Sequence, residues 1–526
     1  LQEWAIKNRI SHVALNELMT GLKFKYSELP SDARSLLKTP RKVNVRDVKP
    51  GQYYHFGLHN CVTQLLSRYS IQHLQFVQVN INIDGLPIFK SSKSQIYPIL
   101  CNLVENYNEV NIVGIYFGNE KPADANEFLA DFVEEAITLT TRGITINDQT
   151  YLFKINAFIC DVPAKSFITF TKGHSGYYSC TKCTAKGEYI NDRVSYPYLN
   201  SFPLRTNNDF RLKLQLGHHT GTSILESIPN IDMVKDFPSD PMHLLHLGIV
   251  KKLIVKLWCY GTPRSKLSFN QMSELSKLLE VQKDHIPCEI NRKSRSLFEC
   301  KRWKATEFRT FLLYTGSVAL KSVLTYDKYI NFLTFHIAIT ILSNSKHMNR
   351  YSDYAKLLLQ YFVNTFIILY DKENTSINIH NLLHIHDDAI KFGTLEKFSA
   401  YPFENYLQSI LKMIRKNDKV LEQIVCRISE QNSCVNNNKK LKTVSSELHN
   451  PHFNGPLLND SNSHSNFHTC NQFSKVTFEN YTLKTEKPDN CCSLNNGTIV
   501  VIRNFISNNE GTFIIGHKYK SLTDFN

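Results

Sequence analysis

Three acidic residues, far apart in the chain, are of the type that phosphodiester chemistry needs. Asp84 stands in Asp84-Gly85-Leu86-Pro87, Asp161 in Cys160-Asp161-Val162-Pro163 and Glu404 in Tyr401-Pro402-Phe403-Glu404. Breaking or joining a phosphodiester develops charge on both the attacking and the leaving oxygen. Two hard divalent cations about 4 Å apart stabilise both, and a few carboxylates on rigid elements hold the cations. Taken one at a time, the same residues also read as a turn Asp-Gly, a strand-ending loop residue and a first-turn helix Glu.

A second set of residues suits a softer metal. Cys180-Thr-Lys-Cys183 has the spacing that brings two sulfurs to one ion, and His380 and His384 are placed four apart on a helix to offer two imidazoles. His386 is a near alternative, and His243 and His246, which follow Asp236 and Asp240, form a competing pair. A closed Cys2His2 site would be structural, tying the segment after Asp161 to the helix just before Glu404. Thirteen Cys in all, an odd number without a disulfide-like framework, suit a reducing compartment with thiols free or metal-bound.

Basic clusters come third. Arg302 and Lys304 close a run that contains Arg292, Lys293, Arg295 and Lys301, while Lys412, Arg415, Lys416 and Lys419 follow Glu404. Such groups give phosphate contacts that are salt-dependent and largely blind to base sequence. Across the 526 residues, 61 Lys and Arg against 47 Asp and Glu leave a formal charge of +14, which favours a polyanionic partner such as nucleic acid. Any charge run also reads as a solvated face. The longest strongly apolar stretch, Leu357 to Tyr370, is broken by Gln360 and Asn364 and falls short of a membrane span. No secretory signal is found.

The elements that must position these residues follow from periodicity. Residues 1–70 read as short, mainly helical amphipathic pieces. Leu74 to Asp84 alternates, with Val77, Val79, Ile81 and Ile83 on one face and Gln78, Asn80, Asn82 and Asp84 on the other, which predicts a half-buried strand. Ile96–Leu103 and Val110–Phe117 predict two more strands. Ala123–Thr141 switches to helical spacing, with Asp124 as N-cap and Gly143 as the stop, and Tyr151–Asp161 returns to strand. Strand, strand, strand, helix, strand, with carboxylates on the first and fourth strands, is the order of a ribonuclease H-like α/β sheet.

The first part of this core, with the Cys pair, is expected over 71–195, and a large α-helical insertion over 196–395. A core-completing helix carrying Glu404 follows over 396–430, with Lys412 and Arg415 on its polar face. Residues 431–475 read as a flexible linker of Asn, Ser, His and Lys. The last stretch, 476–526, reads as a small β module or an incomplete one.

Five motifs in this order carry a resemblance: Asp84-Gly85-Leu86-Pro87-Ile88-Phe89, Cys160-Asp161-Val162-Pro163-Ala164, Cys180-Thr-Lys-Cys183, Asp240-Pro241-Met242-His243 and Tyr401-Pro402-Phe403-Glu404-Asn405-Tyr406. From Phe76 to Lys416 the chain resembles the catalytic core of CACTA (En/Spm-like) DNA transposases, in the superfamily that also holds Mirage and Chapaev elements. Animal transposase-domain proteins of that group are the nearest likeness. The resemblance implies a nuclear DDE transposase that cleaves DNA ends and transfers strands, with Asp84, Asp161 and Glu404 as the catalytic triad binding Mg²⁺, or Mn²⁺ in its place.

It further implies terminal inverted repeats and target DNA as partners, and a dimer or larger assembly on them. The V(D)J recombinase catalytic subunit shares a similar plan, with a CxxC after the second Asp and a His pair shortly before the Glu. Cys180 lies 19 residues after Asp161 and His384 lies 20 before Glu404, so Cys180, Cys183, His380 and His384 are the expected Zn²⁺ ligands. His243 is then an active-site neighbour. A second expectation, from another class, is a host-recruited, non-catalytic DNA-binding or regulatory protein derived from a transposase. Family members carry an N-terminal DNA-binding region, and no zinc-finger or helix-turn-helix signature precedes Asp84. The start at Leu1 points to a piece of a longer protein.

Overall fold

The computed structural model describes residues 1–67, 75–88, 93–197, 202–435, 446–457, 470–478, 481–508 and 511–518. It is a mixed α/β structure in two compact units. The first comprises Leu1–Val250 and Ile330–Lys439, the second Lys251–Tyr329 and Lys440–Asn526. Of the long helical stretch, the middle, Lys251–Tyr329, groups with the C-terminal strands, and the parts before and after it group with the sheet.

The first unit is built on an eight-stranded mixed sheet. Its strands are β1 (Arg46–Val48), β2 (Gly51–His55), β3 (Phe76–Ile83), β4 (Leu86–Pro87), β5 (Gln95–Leu103), β6 (Val110–Gly118), β7 (Ile144–Ile146) and β8 (Gln149–Phe158). The spatial order is β1-β2-β6-β5-β3-β8-β7, with β4 paired to β5. Every pairing is antiparallel except β3 with β8, which is parallel. Helices α1 (Gln2–Lys7), α2 (His12–Lys23), α3 (Ala33–Leu37) and α4 (Leu58–Ser67) surround the β1–β2 hairpin in sequence. That hairpin extends the sheet from a segment whose sequence predicts mainly helix.

Between β6 and β7 runs α5 (Ala125–Arg142), capped by Asp124, whose side chain accepts from Asn126 N, and stopped at Gly143 with φ +79°. Phe128, Leu129, Phe132, Val133 and Ala136 from α5 pack with Val77, Val79, Ile81 and Ile83 of β3 in the main core, joined by Leu58, Val62 and Leu65 of α4. The opposite face of β3 was expected to meet solvent, yet Asn80 and Asn82 are buried. Three of their four side-chain amide atoms are paired inside the protein. Asn80 donates to Asn102 Oδ1 at 3.1 Å and accepts from Asn156 Nδ2 at 2.8 Å, while Asn82 donates to Ile159 O at 2.7 Å.

After β8 come α6 (Val162–Thr169), a small hairpin of β9 (Glu188–Ile190) and β10 (Arg193–Ser195), and α7 (Asn207–Arg211). Met242–Val250 winds as a π-helix, a wide coil that is rare and, where it occurs, frequent at functional sites. In the second unit lie a further π-helix, Lys252–Cys259, then α8 (Phe269–Lys283), α9 (Ala305–Thr310) and α10 (Gly316–Ala319). Helix α11 (Tyr326–Ser343) leads back to the first unit, followed by α12 (Ser345–Tyr370, kinked at Tyr351), α13 (Ile377–Phe392), α14 (Tyr401–Leu411) and α15 (Val420–Val435). Among the described residues no helix is long and apolar enough to cross a membrane.

The C-terminal strands form a six-stranded antiparallel sheet within the second unit. They are β11 (Glu447–His452), β12 (Asn471–Thr477), β13 (Thr482–Lys484), β14 (Cys491–Ser493), β15 (Ile499–Asn508) and β16 (Gly511–Lys518). Val476, Ile502 and Phe505 form its small core. Strand β11 and the first part of β12 fall inside the stretch predicted as a linker. Residues 436–445 and 458–469 of that stretch lie outside the described residues.

Candidate functional site

Asp84 and Asp161 leave the sheet together. In the parallel pair β3–β8, Val79 faces Ile155 but Asn80 faces Ala157, so β8 carries one extra residue at Asn156. Beyond this bulge Ile81 faces Phe158, and each aspartate follows three residues later. An unbroken register would bring Cys160 level with Asp84, and the bulge substitutes Asp161. Bulges beside active sites re-aim side chains in this way. Asp84 Oδ1 accepts from Gly85 N at 2.7 Å, and Tyr97 packs so closely on Gly85 that a Cβ there would lie 2.4 Å from the ring. Asp161 caps α6, its Oδ1 accepting from Ala164 N at 2.7 Å.

Glu404 comes from the first turn of α14 and meets Asp84 and His243, while Asp161 lies outside that group and acts on it through its charge. Ligand atoms of Asp84, His243 and Glu404 all lie within 4.8 Å of one another. Burial, then the charges of Asp161 and Glu404, push the Asp84 carboxyl up to about 7, against the pull of His243. Burial also raises Glu404, whose carboxyl hydrogen bonds with that of Asp84. Carboxyls this close cannot all ionise without a cation between them. Part of that role falls to His243. Burial disfavours its charged form, but the hydrogen bond and charge of Asp240 outweigh this and raise it to about 9, helped by Asp161 and Asp84.

The segment Phe237–Asp240 holds these parts in register. Lys165 of α6, fully buried, donates to Phe237 O at 3.2 Å and Pro238 O at 2.6 Å. Asp388 of α13 accepts from Ser239 N at 2.8 Å. Asp240, also buried, accepts from His243 Nδ1 at 2.6 Å, His243 N at 2.9 Å, Met242 N at 3.2 Å and Ala400 N at 2.7 Å. Ala400 immediately precedes α14, so one carboxylate fixes both the imidazole and the helix that carries Glu404. Burial would push Asp240 up, yet the His243 imidazole and the amides of Ala400 and His243 hold it below the ordinary range. His246 Nδ1 and Tyr401 OH, 2.9 Å apart, tie the π-helix to α14 once more.

The Cys and His residues gather at a second centre. Cys180 Sγ lies 3.5 Å from Cys183 Sγ and 3.6 Å from His384 Nε2, Cys183 Sγ lies 3.2 Å from His380 Nε2, and the two imidazole nitrogens are 3.3 Å apart. All four residues are buried, and all four ligand atoms fit one metal ion. Backbone amides of Lys182 and Cys183 point at Cys180 Sγ at 3.4 and 3.3 Å, which suits a thiolate. Burial opposes ionisation of Cys180, but Cys183 and the two imidazoles hold its pKa well below that of an ordinary thiol. Lys182, between the cysteines, meets Asp388 at 2.7 Å, so this centre is braced against the same α13 carboxylate that holds Ser239.

His243 and His246 take no part in the sulfur centre, and His386 turns instead to Asp387 at 3.0 Å. The basic candidates separate. Helix α14 ends at Leu411 with Lys412 as its C-cap, so Arg415 and Lys416 do not share a helix with Glu404 as predicted. Arg415, exposed, donates to Arg9 O at 2.9 Å and Ile10 O at 3.4 Å, bracing the segment after α14 against the one between α1 and α2. Lys412 and Lys416 are exposed. Arg302 and Lys304 are exposed too, in the second unit, where Arg302 O accepts from Arg295 and Lys304 N caps onto Glu307.

Sequence reasoning missed Asp240, although an Asp three residues before a His at a helix start was visible in Asp240-Pro241-Met242-His243. Nothing in the sequence signals Tyr97 or the Lys182–Asp388 pair. Among known proteins, residues 451–526 match the family described as a domain of unknown function, DUF8592. No curated protein matches the chain. The family match lies wholly in the second unit and contains none of the acidic or Cys2His2 residues.

Proposed function

We propose that the chain is a DDE-type DNA transposase of the CACTA group, acting in the nucleus on transposon ends and target DNA as a dimer or larger assembly. The observation that carries this reading is the meeting of Asp84 and Glu404 from a strand end and a helix more than three hundred residues downstream, with Asp161, at the end of the neighbouring parallel strand, near enough to act on Asp84 through its charge. The order β6-β5-β3-β8, with only β3 and β8 parallel, supports a ribonuclease H-like core.

Asp84, Asp161 and Glu404 would hold the divalent ions, Mg²⁺ or Mn²⁺, and their mutual repulsion is the kind that a cation relieves. When bound, such ions activate an attacking water or 3′-hydroxyl and stabilise the departing 3′-oxygen. The protein supplies rigid placement. Strand ends fix the aspartates, and Asp240 fixes the start of α14. At the second centre Zn²⁺ is the fitting ion. Bonds of about 2.3 Å to sulfur and 2.0–2.1 Å to nitrogen give tetrahedral edges of about 3.8 Å between sulfurs, 3.4 Å between nitrogens and 3.6 Å for mixed pairs. The observed separations agree within about 0.4 Å.

The test is nicking of duplex DNA bearing the terminal repeats of the source element, with Mg²⁺ or Mn²⁺ and the full chain. Asp161→Asn and Glu404→Gln should each lower the rate at least about 10³-fold, equivalent to about 4 kcal/mol, with the fold retained. Unimpaired strand transfer by either variant removes the mechanism. Metal-independent DNA binding without any nicking would instead favour a recruited, non-catalytic protein.

A further inference from the structure

The acidic site contains one group to which a three-carboxylate scheme gives no work. His243 brings a ligand atom within 4.8 Å of those of Asp84 and Glu404. Its Nδ1 is engaged by Asp240 Oδ2 at 2.6 Å, which leaves Nε2 as the nitrogen available to an ion. Imidazoles that ligate metals characteristically give their other ring nitrogen to a carboxylate, which fixes the tautomer and makes the ligating nitrogen more basic. Asp240 is itself pinned by three backbone amides, so the ring cannot swing away with it. Asn82, two residues before Asp84 in the alternation of β3, is buried and leaves Oδ1 without a partner. Unsatisfied buried acceptors of this kind commonly mark a place for water or an ion.

We propose that His243 Nε2, together with Asp84 and Glu404, is a direct ligand of a divalent ion, and that the site favours first-row transition ions such as Mn²⁺ over Mg²⁺. This rests on reading the acidic residues as a metal site and adds a nitrogen donor to it. Mg²⁺ asks for near-octahedral oxygen and gives up water reluctantly, whereas imidazole suits the transition ions.

The experiment uses the full, zinc-loaded chain with Mn²⁺ as probe. Electron spin echo envelope modulation of bound Mn²⁺ should show ¹⁴N coupling in the wild type, a readout that needs no variant. His243→Gln should abolish that coupling and weaken Mn²⁺ binding about tenfold or more, while Mg²⁺ binding changes far less. Asp84→Asn identifies the site, since Mn²⁺ held there should be lost. Mn²⁺ that depends on Asp84 yet shows no nitrogen coupling, or an unchanged Mn²⁺ affinity in His243→Gln, overturns the proposal and makes His243 an ion-pair partner only. Absence of any Asp84-dependent Mn²⁺ overturns it together with the metal-site reading. Nitrogen-coupled Mn²⁺ in a protein that never nicks DNA upholds it and defeats the transposase reading alone.

Discussion

Replacing Asp84 by Asn should make the protein more stable at about pH 8 in buffer free of Mg²⁺ and Mn²⁺. Burial and the charges of Asp161 and Glu404 lift this carboxyl from 3.8 to about 7. In the unfolded chain it ionises near its ordinary value, so between those two pH values the folded state keeps a proton that the unfolded state has lost. Stability contributed by the protonated carboxyl is therefore complete below about pH 4, falls as pH rises, and is gone above about pH 7. A difference of this size corresponds to about 4 kcal/mol. Asp84 is only partly buried, and solvent screening reduces the effect to about 2 kcal/mol.

Asn keeps an acceptor for Gly85 N and carries no charge. Its melting temperature should exceed that of the parent by a few degrees at about pH 8, and the gain should shrink on acidification and vanish near pH 4. Mn²⁺ at a hundred times its Kd stabilises a protein that binds it by about 2.7 kcal/mol, so it should reverse the ranking by acting on the parent alone. Thermal unfolding across this pH range, with and without Mn²⁺, reads both effects. An Asn variant that melts below the parent at about pH 8 without metal, or that gains as much from Mn²⁺, refutes the idea of a repulsive carboxyl cage.

Cys180→Ser should remove about one zinc per chain by elemental analysis and lower stability by about 3 kcal/mol or more. Asp388→Ala should cost about 3–5 kcal/mol in urea unfolding, because it strands the Lys182 ammonium and Ser239 N inside the protein. Arg415→Gln should cost about 1 kcal/mol of stability while leaving DNA affinity nearly intact, since its guanidinium braces Arg9 and Ile10. Lys412→Gln and Lys416→Gln should do the opposite, each lowering the salt slope of DNA binding by about 1 in anisotropy titrations.

Much of the first unit was legible because its signals are local. Alternation located β3, and helical spacing with Asp124 and Gly143 bounded α5 to within two residues. The i, i+4 spacing of His380 and His384 survived because α13 is regular over its whole length. What could not be read depends on partners remote in sequence. Polar Asn80 and Asn82 looked solvent-facing because no pattern within a strand says what covers its other face. The apolar spacing through Ile414 argued for a longer α14, but the helix ends at Leu411, and the chain beyond it is held by contacts remote in sequence, such as Arg415 with Arg9. The β1–β2 hairpin is too short for periodicity to reveal, and the role of Asp240 exists only once Ala400 arrives.

The Phe237–Asp240 hub also sets when the acidic site can be completed during synthesis. Both aspartates follow the ends of strands that a ribosome finishes early, while Ala400 and Glu404 emerge some 160 residues after Asp240. Until they do, Asp240 lacks its Ala400 donor and the acidic helix has no seat. A half-made polypeptide can thus hold the strands that carry both aspartates and still lack the third acidic residue. Proteolytic loss of everything beyond the hub would leave the same incomplete acidic site.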